Sequence, residues 1–120
     1  ETTGLETREA RLVGIAFATE EREAFYVPMT GEEKIDRSII TEFKAVLENP
    51  NIRKIGQNLK YDIQILRNYD IHVAGPIFDT MLAHFLLDSE AASGMDMMAD
   101  KYLGYKTISF EALVGPKGKN

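Results

Sequence analysis

The stretch Lys54-Ile-Gly-Gln-Asn-Leu-Lys-Tyr-Asp-Ile-Gln-Ile-Leu66 is where chemistry is most legible. Lys54-Ile55-Gly56 suits a short strand end, and Gly56 lets the backbone turn without a Cβ penalty. Gln57 and Asn58 are polar turn residues. From Leu59 the apolar positions Leu59, Ile63 and Leu66 take helical spacing. Asp62 then sits one turn into a helix, beside its apolar stripe and just past a strand end, where open α/β sheets place their sites. A carboxylate there must be paired, hydrogen-bonded or metal-bound to offset lost hydration. The chemistry it offers is that of a hard oxygen ligand for a divalent cation. An ordinary surface aspartate is the plain alternative. The two histidines do not extend this to a nitrogen-ligated metal site: His72 and His84 are far apart, with no Cys nearby. His84 falls in an apolar helix and reads as a satisfied core residue. Met95, Met97 and Met98 read as gap-filling core.

The elements around this stretch follow from pattern. Leu12 to Thr19 is nearly all apolar, as for a strand buried on both faces, and Ala24 to Val27 is a second strand stopped by Pro28. With the polar turn Glu20-Glu21-Arg22 they form an antiparallel hairpin. Asp36 or Ser38 can cap a helix running to about Asn49, with Ile39, Ile40, Phe43, Val46 and Leu47 on its apolar side. Ile71-His72-Val73 suits one more short strand. Asp79 caps a third helix through Leu87, with Met81, Leu82, Phe85 and Leu86 inward. A fourth helix opens at Asp96 and ends near Leu103-Gly104, where the glycine suits the position after the last turn. Ser109 caps a short last turn stopped by Gly115. The order implies an α/β sheet with antiparallel and parallel pairs and helices packed on it.

Composition narrows the class. One hundred and twenty residues, 44% apolar and 28% charged, make one soluble-type domain able to bury a core. No apolar run spans a membrane and no secretory leader opens the sequence. With no Cys, disulfides and thiolate metal sites are excluded, which fits a reducing cytoplasm. The net charge of −5 argues against a tight nucleic-acid binder but not against a nuclease. A carboxylate site for cations is acidic when counted without its metals.

Gly56-Gln57-Asn58-Leu59-Lys60-Tyr61-Asp62 resembles the second motif of the 3′–5′ exonuclease domain of the family A DNA polymerases, bacterial DNA polymerase I among them. Glu1-Thr2-Thr3-Gly4-Leu5 resembles the end of that family's first motif, Asp-x-Glu-x-x-x-Leu. Phe78-Asp79-Thr80-Met81-Leu82 and Lys106-Thr107-Ile108-Ser109-Phe110 follow in the family's order. The resemblance implies a ribonuclease H-like fold with a mixed sheet. It implies proofreading: hydrolysis of the 3′-terminal phosphodiester of single-stranded or frayed DNA by two divalent cations, Mg²⁺ or Mn²⁺, roughly 3.5–4 Å apart. By the same resemblance, Glu1 and Asp62 are the metal ligands and catalytic carboxylates, and Thr2, Leu5, Gln57, Asn58, Lys60, Tyr61 and Phe110 contact substrate. Stacking on an aromatic face such as that of Phe110 accepts any base.

The implied partners are a single-stranded 3′ end and a polymerase domain on the same parent chain. The family's leading Asp would lie two positions before Glu1, and its third motif, Tyr-x-x-x-Asp, beyond Asn120. Residues 1–120 are therefore expected to be an incomplete exonuclease domain, inactive alone. Two other readings stay open: a stand-alone RNase D-like exonuclease, and a non-catalytic exonuclease-like spacer of a family A polymerase.

Overall fold

The computed structural model describes residues 1–109, 111, 112 and 115. They fall into two units, Glu1–Asp79 and Thr80–Asn120. In the first unit, strands β1 (Gly14–Glu20) and β2 (Glu23–Pro28) form the expected antiparallel hairpin, with Phe17 opposite Phe25. β1 is not buried on both faces. Ile15 and Phe17 turn toward the core, while Ala16 and Ala18 face outward and are exposed. Methyl side chains make that outer face cheap to leave wet, and an apolar run containing alanines hides the alternation. Ahead of β1, Thr2 bridges Leu12 in antiparallel fashion. Thr3 N–H donates to Arg11 O and Val13 N–H to Glu1 O, both at 2.9 Å. The start of the chain is thus laid alongside the approach to the hairpin.

The expected single helix is two: α1 (Glu33–Thr41) and α2 (Lys44–Leu47). At the break, Glu42 and Phe43 donate to carbonyls three residues back, the tighter turn that ends many helices. There the Phe43 ring stacks on Phe17, with centroids 4.7 Å apart. Neither Asp36 nor Ser38 caps α1; Glu32 holds the cap position. Asp36 lies inside the first turn, buried, and accepts from Thr30 N–H (2.6 Å), Thr30 Oγ1 (2.8 Å) and Gly31 N–H (3.1 Å). It closes the loop before the helix rather than the helix itself.

Strand β3 (Lys54–Gly56) leads into α3 (Leu59–Arg67), as read from the sequence. The backbone reversal between them is made by Asn58, at φ +57°, and not by Gly56. At Gly56 a Cβ would lie 2.5 Å from Leu59 Cδ2, so a side chain there would require the leucine to move. The second strand of this pair is β4 (Ile77–Asp79), parallel to β3, with Gly56 opposite Asp79. Ile71–Val73 is not a strand. Ile71 is a fully buried core residue, and the backbone beyond it bonds to the end of α2: His72 N–H to Glu48 Oε1 and Ala74 N–H to Leu47 O. Gly75, at φ +90°, then turns under the carbonyls of Asn49, Pro50 and Ile52, which leave no room for a Cβ. The expected antiparallel and parallel pairs therefore both occur, as two separate two-stranded ladders among the described residues.

The core of this unit is Ile40, Ile65 and Ile71, essentially sealed from solvent, with Ala10, Leu12, Leu47 and Leu66. Removing buried aliphatic side chains of this kind costs about 2–5 kcal/mol each.

In the second unit, α4 (Thr80–Leu87) presents the opposite face from the one expected. His84 is buried, whereas Leu82, Phe85, Leu86 and Leu87 are exposed. The segment is apolar nearly all round, so periodicity does not choose a face. His84 Nδ1 is 2.8 Å from the Tyr102 hydroxyl, and its Nε2 is buried without a partner, so this core histidine is only half satisfied. α5 (Met95–Leu103) ends at Gly104, φ +61°, as the sequence suggests. Met95 is exposed rather than core, and no residue of α5 is fully buried. Ser109 Oγ accepts from Ala112 N–H at 3.2 Å, the capping contact expected there.

Candidate functional site

Asp62 stands in the first turn of α3, where the partial positive charge of a helix start favours a carboxylate. Its carboxyl is nevertheless raised above the ordinary aspartate value. Lost hydration is the largest cause; the terminal ammonium opposes it, and the like charges of Asp79 and then Glu1 add smaller upward pushes. The residue still reaches solvent, so the desolvation comes from protein crowded around one side of the carboxylate and not from enclosure. Three acidic side chains thus act on one region from three parts of the first unit: Glu1 from the start of the chain, Asp62 from α3, and Asp79 from the end of β4.

Local structure explains each position. Glu1 is held beside the hairpin through its backbone, whose carbonyl accepts from Val13 N–H at 2.9 Å. Asp79 reaches back across the parallel pair to the start of α3. Its Oδ1 accepts from Asn58 N–H (3.0 Å) and its Oδ2 from Leu59 N–H (2.8 Å). Those amides belong to the opening turn of α3, and no side chain of α3's own cap residue serves them. The sequence placed Asp79 as a cap for the helix that follows it, within a stretch that resembles the exonuclease family. Its service to α3 is the functional feature that sequence reading missed, and the one available signal was an aspartate ending a strand.

Tyr61 and Thr2 are joined directly. Tyr61 Oη lies 2.6 Å from Thr2 Oγ1, and Gly4 O is within hydrogen-bond reach of both, 2.9 Å from Thr2 Oγ1; with one proton each, one hydroxyl donates to Gly4 O and accepts from the other. Farther along α3, Asn68 Nδ2 donates to Thr7 O and Leu12 N–H donates to Tyr69 Oη. The segment from Thr2 to Leu12 is therefore fastened near the start of α3 and again just past its end. Lys60 is exposed beside Tyr61, and Gln57 and Asn58 occupy the junction between β3 and α3. Leu5 is 92% exposed, so it is not core. Phe110 lies outside the described residues.

A cavity of about 620 Å³ opens elsewhere on the same unit, lined in part by Arg8, Arg11, Arg37, Glu9, Glu33 and Asp36. Neither Glu1 nor Asp62 lines it. Three arginines against three acids give it no net preference for an anion, and Arg37 is already engaged by Glu33, Asp70 and the Asn68 carbonyl.

The fold itself is shared with solved structures. Brucella melitensis NrnC with bound Mg²⁺ superposes with a TM-score of 0.74 at 18% identity, covering 100% of this chain and 57% of that one. A nuclease in its apo form gives 0.75 at 19% identity, covering 98% of this chain and 56% of its own. These likenesses define the ribonuclease H-like fold. Residues 1–120 match the family described as 3′–5′ exonuclease, and the chain belongs to that family. Its relatives are DNA polymerases I. That of Pseudomonas aeruginosa is 41% identical over 128 aligned positions, covering 99% of this chain, and that of Borreliella burgdorferi is 39% identical over 118, covering 95%. The chain spans only 14% and 13% of the length of those relatives.

Proposed function

We propose that this chain is the exonuclease part of a longer DNA polymerase I and proofreads by removing nucleotides from single-stranded or frayed 3′ ends. The observation that carries the reading is the convergence of Glu1, Asp62 and Asp79 charge in a chain matched over its whole length by the 3′–5′ exonuclease family. We assign Glu1 and Asp62 as the metal ligands. Both supply the hard oxygens that Mg²⁺ and Mn²⁺ take. Lost hydration, with the like charges of Asp79 and Glu1 behind it, holds the Asp62 carboxyl toward its neutral form, and a bound cation opposes that. Among the described residues no three His, Asp or Glu side chains are grouped closely enough to enclose an ion. That is compatible with Mg²⁺, which commonly takes one or two carboxylates and completes its shell with water and substrate phosphate. Two such ions, when bound, supply water activation and charge stabilisation for phosphodiester hydrolysis.

The remaining residues bind and orient. Leu5 offers an exposed apolar side chain to a base. Lys60 offers a cation to the backbone, and Gln57 and Asn58 flank the 3′ end; Phe110 completes the base contact. None of these reads sequence, as removal of any mispaired nucleotide requires. Residues 1–120 act as an incomplete exonuclease domain joined to a polymerase domain. Among the described residues no helix is long and apolar enough to cross a membrane, and the absence of Cys suits the bacterial cytoplasm.

The test is a 5′-labelled single-stranded oligonucleotide incubated with Mg²⁺ and the full-length protein. Stepwise shortening from the 3′ end is expected, and its loss in Asp62→Ala while DNA synthesis continues. Unchanged shortening in Asp62→Ala would overturn the assignment. The 120 residues alone, offering two ligands, are expected to bind Mg²⁺ weakly and to leave the oligonucleotide intact.

A further inference from the structure

Each of the two proposed ligands has an immediate chain neighbour in the same hydrogen-bonded cluster: Thr2 follows Glu1, and Tyr61 precedes Asp62. The Tyr61 and Thr2 hydroxyls form one cluster with the Gly4 carbonyl, in which one hydroxyl donates to the carbonyl and accepts the other's proton, so both protons are used within it. Its ring packs against the core of the unit, so the hydroxyl is held at a fixed place on α3. Of the ties between α3 and the opening segment, Asn68–Thr7 and Tyr69–Leu12 lie at the far end of the helix. Tyr61–Thr2 is the tie adjacent to both carboxylates.

We propose that Tyr61 is a positioning residue whose hydroxyl, through Thr2 and Gly4, sets the separation of Glu1 and Asp62 and thereby the metal affinity of the pair. This rests on the assignment of those two residues as ligands. It also gives the Tyr61 and Thr2 hydroxyls a different role from substrate contact, since both are already occupied by each other and by Gly4. Groups that hold metal ligands in place rank close to the ligands themselves: losing one commonly lowers metal affinity or activity roughly ten- to a hundred-fold.

The experiment is a double-mutant cycle in the full-length protein with Tyr61→Phe, Thr2→Val and the two combined. Thr2→Ser, which keeps the hydroxyl, serves as the rescue variant. Mn²⁺ binding is read from the free-ion electron paramagnetic resonance signal, taking the difference from Asp62→Ala as the contribution of this site. The KM for a single-stranded oligonucleotide and the Mg²⁺ concentration for half-maximal cleavage are measured alongside. Tyr61→Phe and Thr2→Val are each expected to weaken Mn²⁺ binding and raise the Mg²⁺ requirement roughly ten-fold or more, with KM for DNA little changed. The double variant is expected to be no worse than either single change, because both remove the same link, and Thr2→Ser is expected to restore binding. A raised KM with unchanged Mn²⁺ binding would overturn the proposal in favour of direct substrate contact. So would losses that multiply in the double variant, or a Tyr61→Phe protein indistinguishable from the parent. Failure of the underlying ligand assignment would show separately, as Asp62→Ala retaining full Mn²⁺ binding and cleavage.

Discussion

Asp36 and Asp62 occupy the same local slot: each is the fourth residue of a nine-residue helix. The helix start favours ionisation of both, yet their carboxyls are driven in opposite directions. At Asp36 burial pushes the carboxyl up, but hydrogen bonds from Thr30 and Gly31 outweigh it and the net shift is downward. At Asp62 burial also pushes up, and the surroundings add Asp79 and Glu1 instead of donors. One carboxylate finishes a loop. The other is left with an electrostatic debt that a cation can cancel. Helix position does not separate a structural aspartate from a ligand; the charge and hydrogen-bonding character of its partners does.

The largest effect expected to test this contrast is on catalysis. In the full-length protein, Asp62→Ala should reduce 3′–5′ exonuclease turnover by roughly a hundred- to a thousand-fold, the usual cost of losing one electrostatic stabiliser of a transition state. Its metal-free melting temperature should stay level or rise, because a repelled carboxylate has been removed. A near-normal rate combined with a large drop in melting temperature would make Asp62 a second Asp36. The converse substitution, Asp36→Ala, removes the buried carboxylate that the Thr30 and Gly31 amides share and that ties their exposed loop to α1. Thermal unfolding should show a melting temperature lower by several degrees, with turnover per folded molecule unchanged.

Acid titration sharpens the contrast further. The lowered carboxyl of Asp36 contributes stability that is complete above the unfolded-chain value, about 3.9, and is lost as pH falls through its lower folded value. The raised carboxyl of Asp62 works the other way. Its ionised form costs stability above its folded value, and that cost disappears as pH falls through the window down to the unfolded value. Denaturant titrations from pH 7 to pH 3 should therefore find Asp62→Asn more stable than the parent at neutral pH, with the advantage fading in acid. Asp36→Asn should be less stable at neutral pH, with its deficit shrinking in acid. The smallest effect concerns the 120-residue chain itself. Its terminal ammonium lowers the Asp62 carboxyl, so acetylating Glu1 should move that titration upward, as read by carboxyl ¹³C shifts.

Legibility from sequence tracked the range of the interaction. β3, α3, the hairpin and α5 were readable because spacing, turn residues and Gly104 act within a few positions. Asp62 was placed correctly on α3 for the same reason. α4 was read inside out because Met81 to Leu87 offers no polar face other than His84. Asp36 looked like a helix cap by position, but its partners lie in the loop behind it. Asp79 was read only locally, as a cap for the next helix, and the Leu59 and Asn58 amides it accepts from lie 20 and 21 residues back, across a parallel strand pair. Such a pairing leaves no local pattern to read. The Tyr61–Thr2 link, 59 residues apart, was equally silent; both residues were visible only through family resemblance, and then as substrate contacts.

The reach of Asp79 back to Asn58 and Leu59 also bears on how the site comes into being during synthesis. A ribosome that has released the chain as far as Asp70 has delivered every residue of α3, but not the acceptor for its opening amides. Nascent α3 is nine residues long, too short to persist in water without help from packing or caps. Its first turn can settle only after the segment through Gly75 has folded back and β4 has paired beside β3. Closing a loop of that length is entropically modest, yet parallel pairing is among the slower steps a chain takes. Asp62 therefore gains its final position after its own helix has been made. A chain arrested before Asp79 should expose the Asn58 and Leu59 amides to rapid hydrogen exchange, and a chain released past it should protect them.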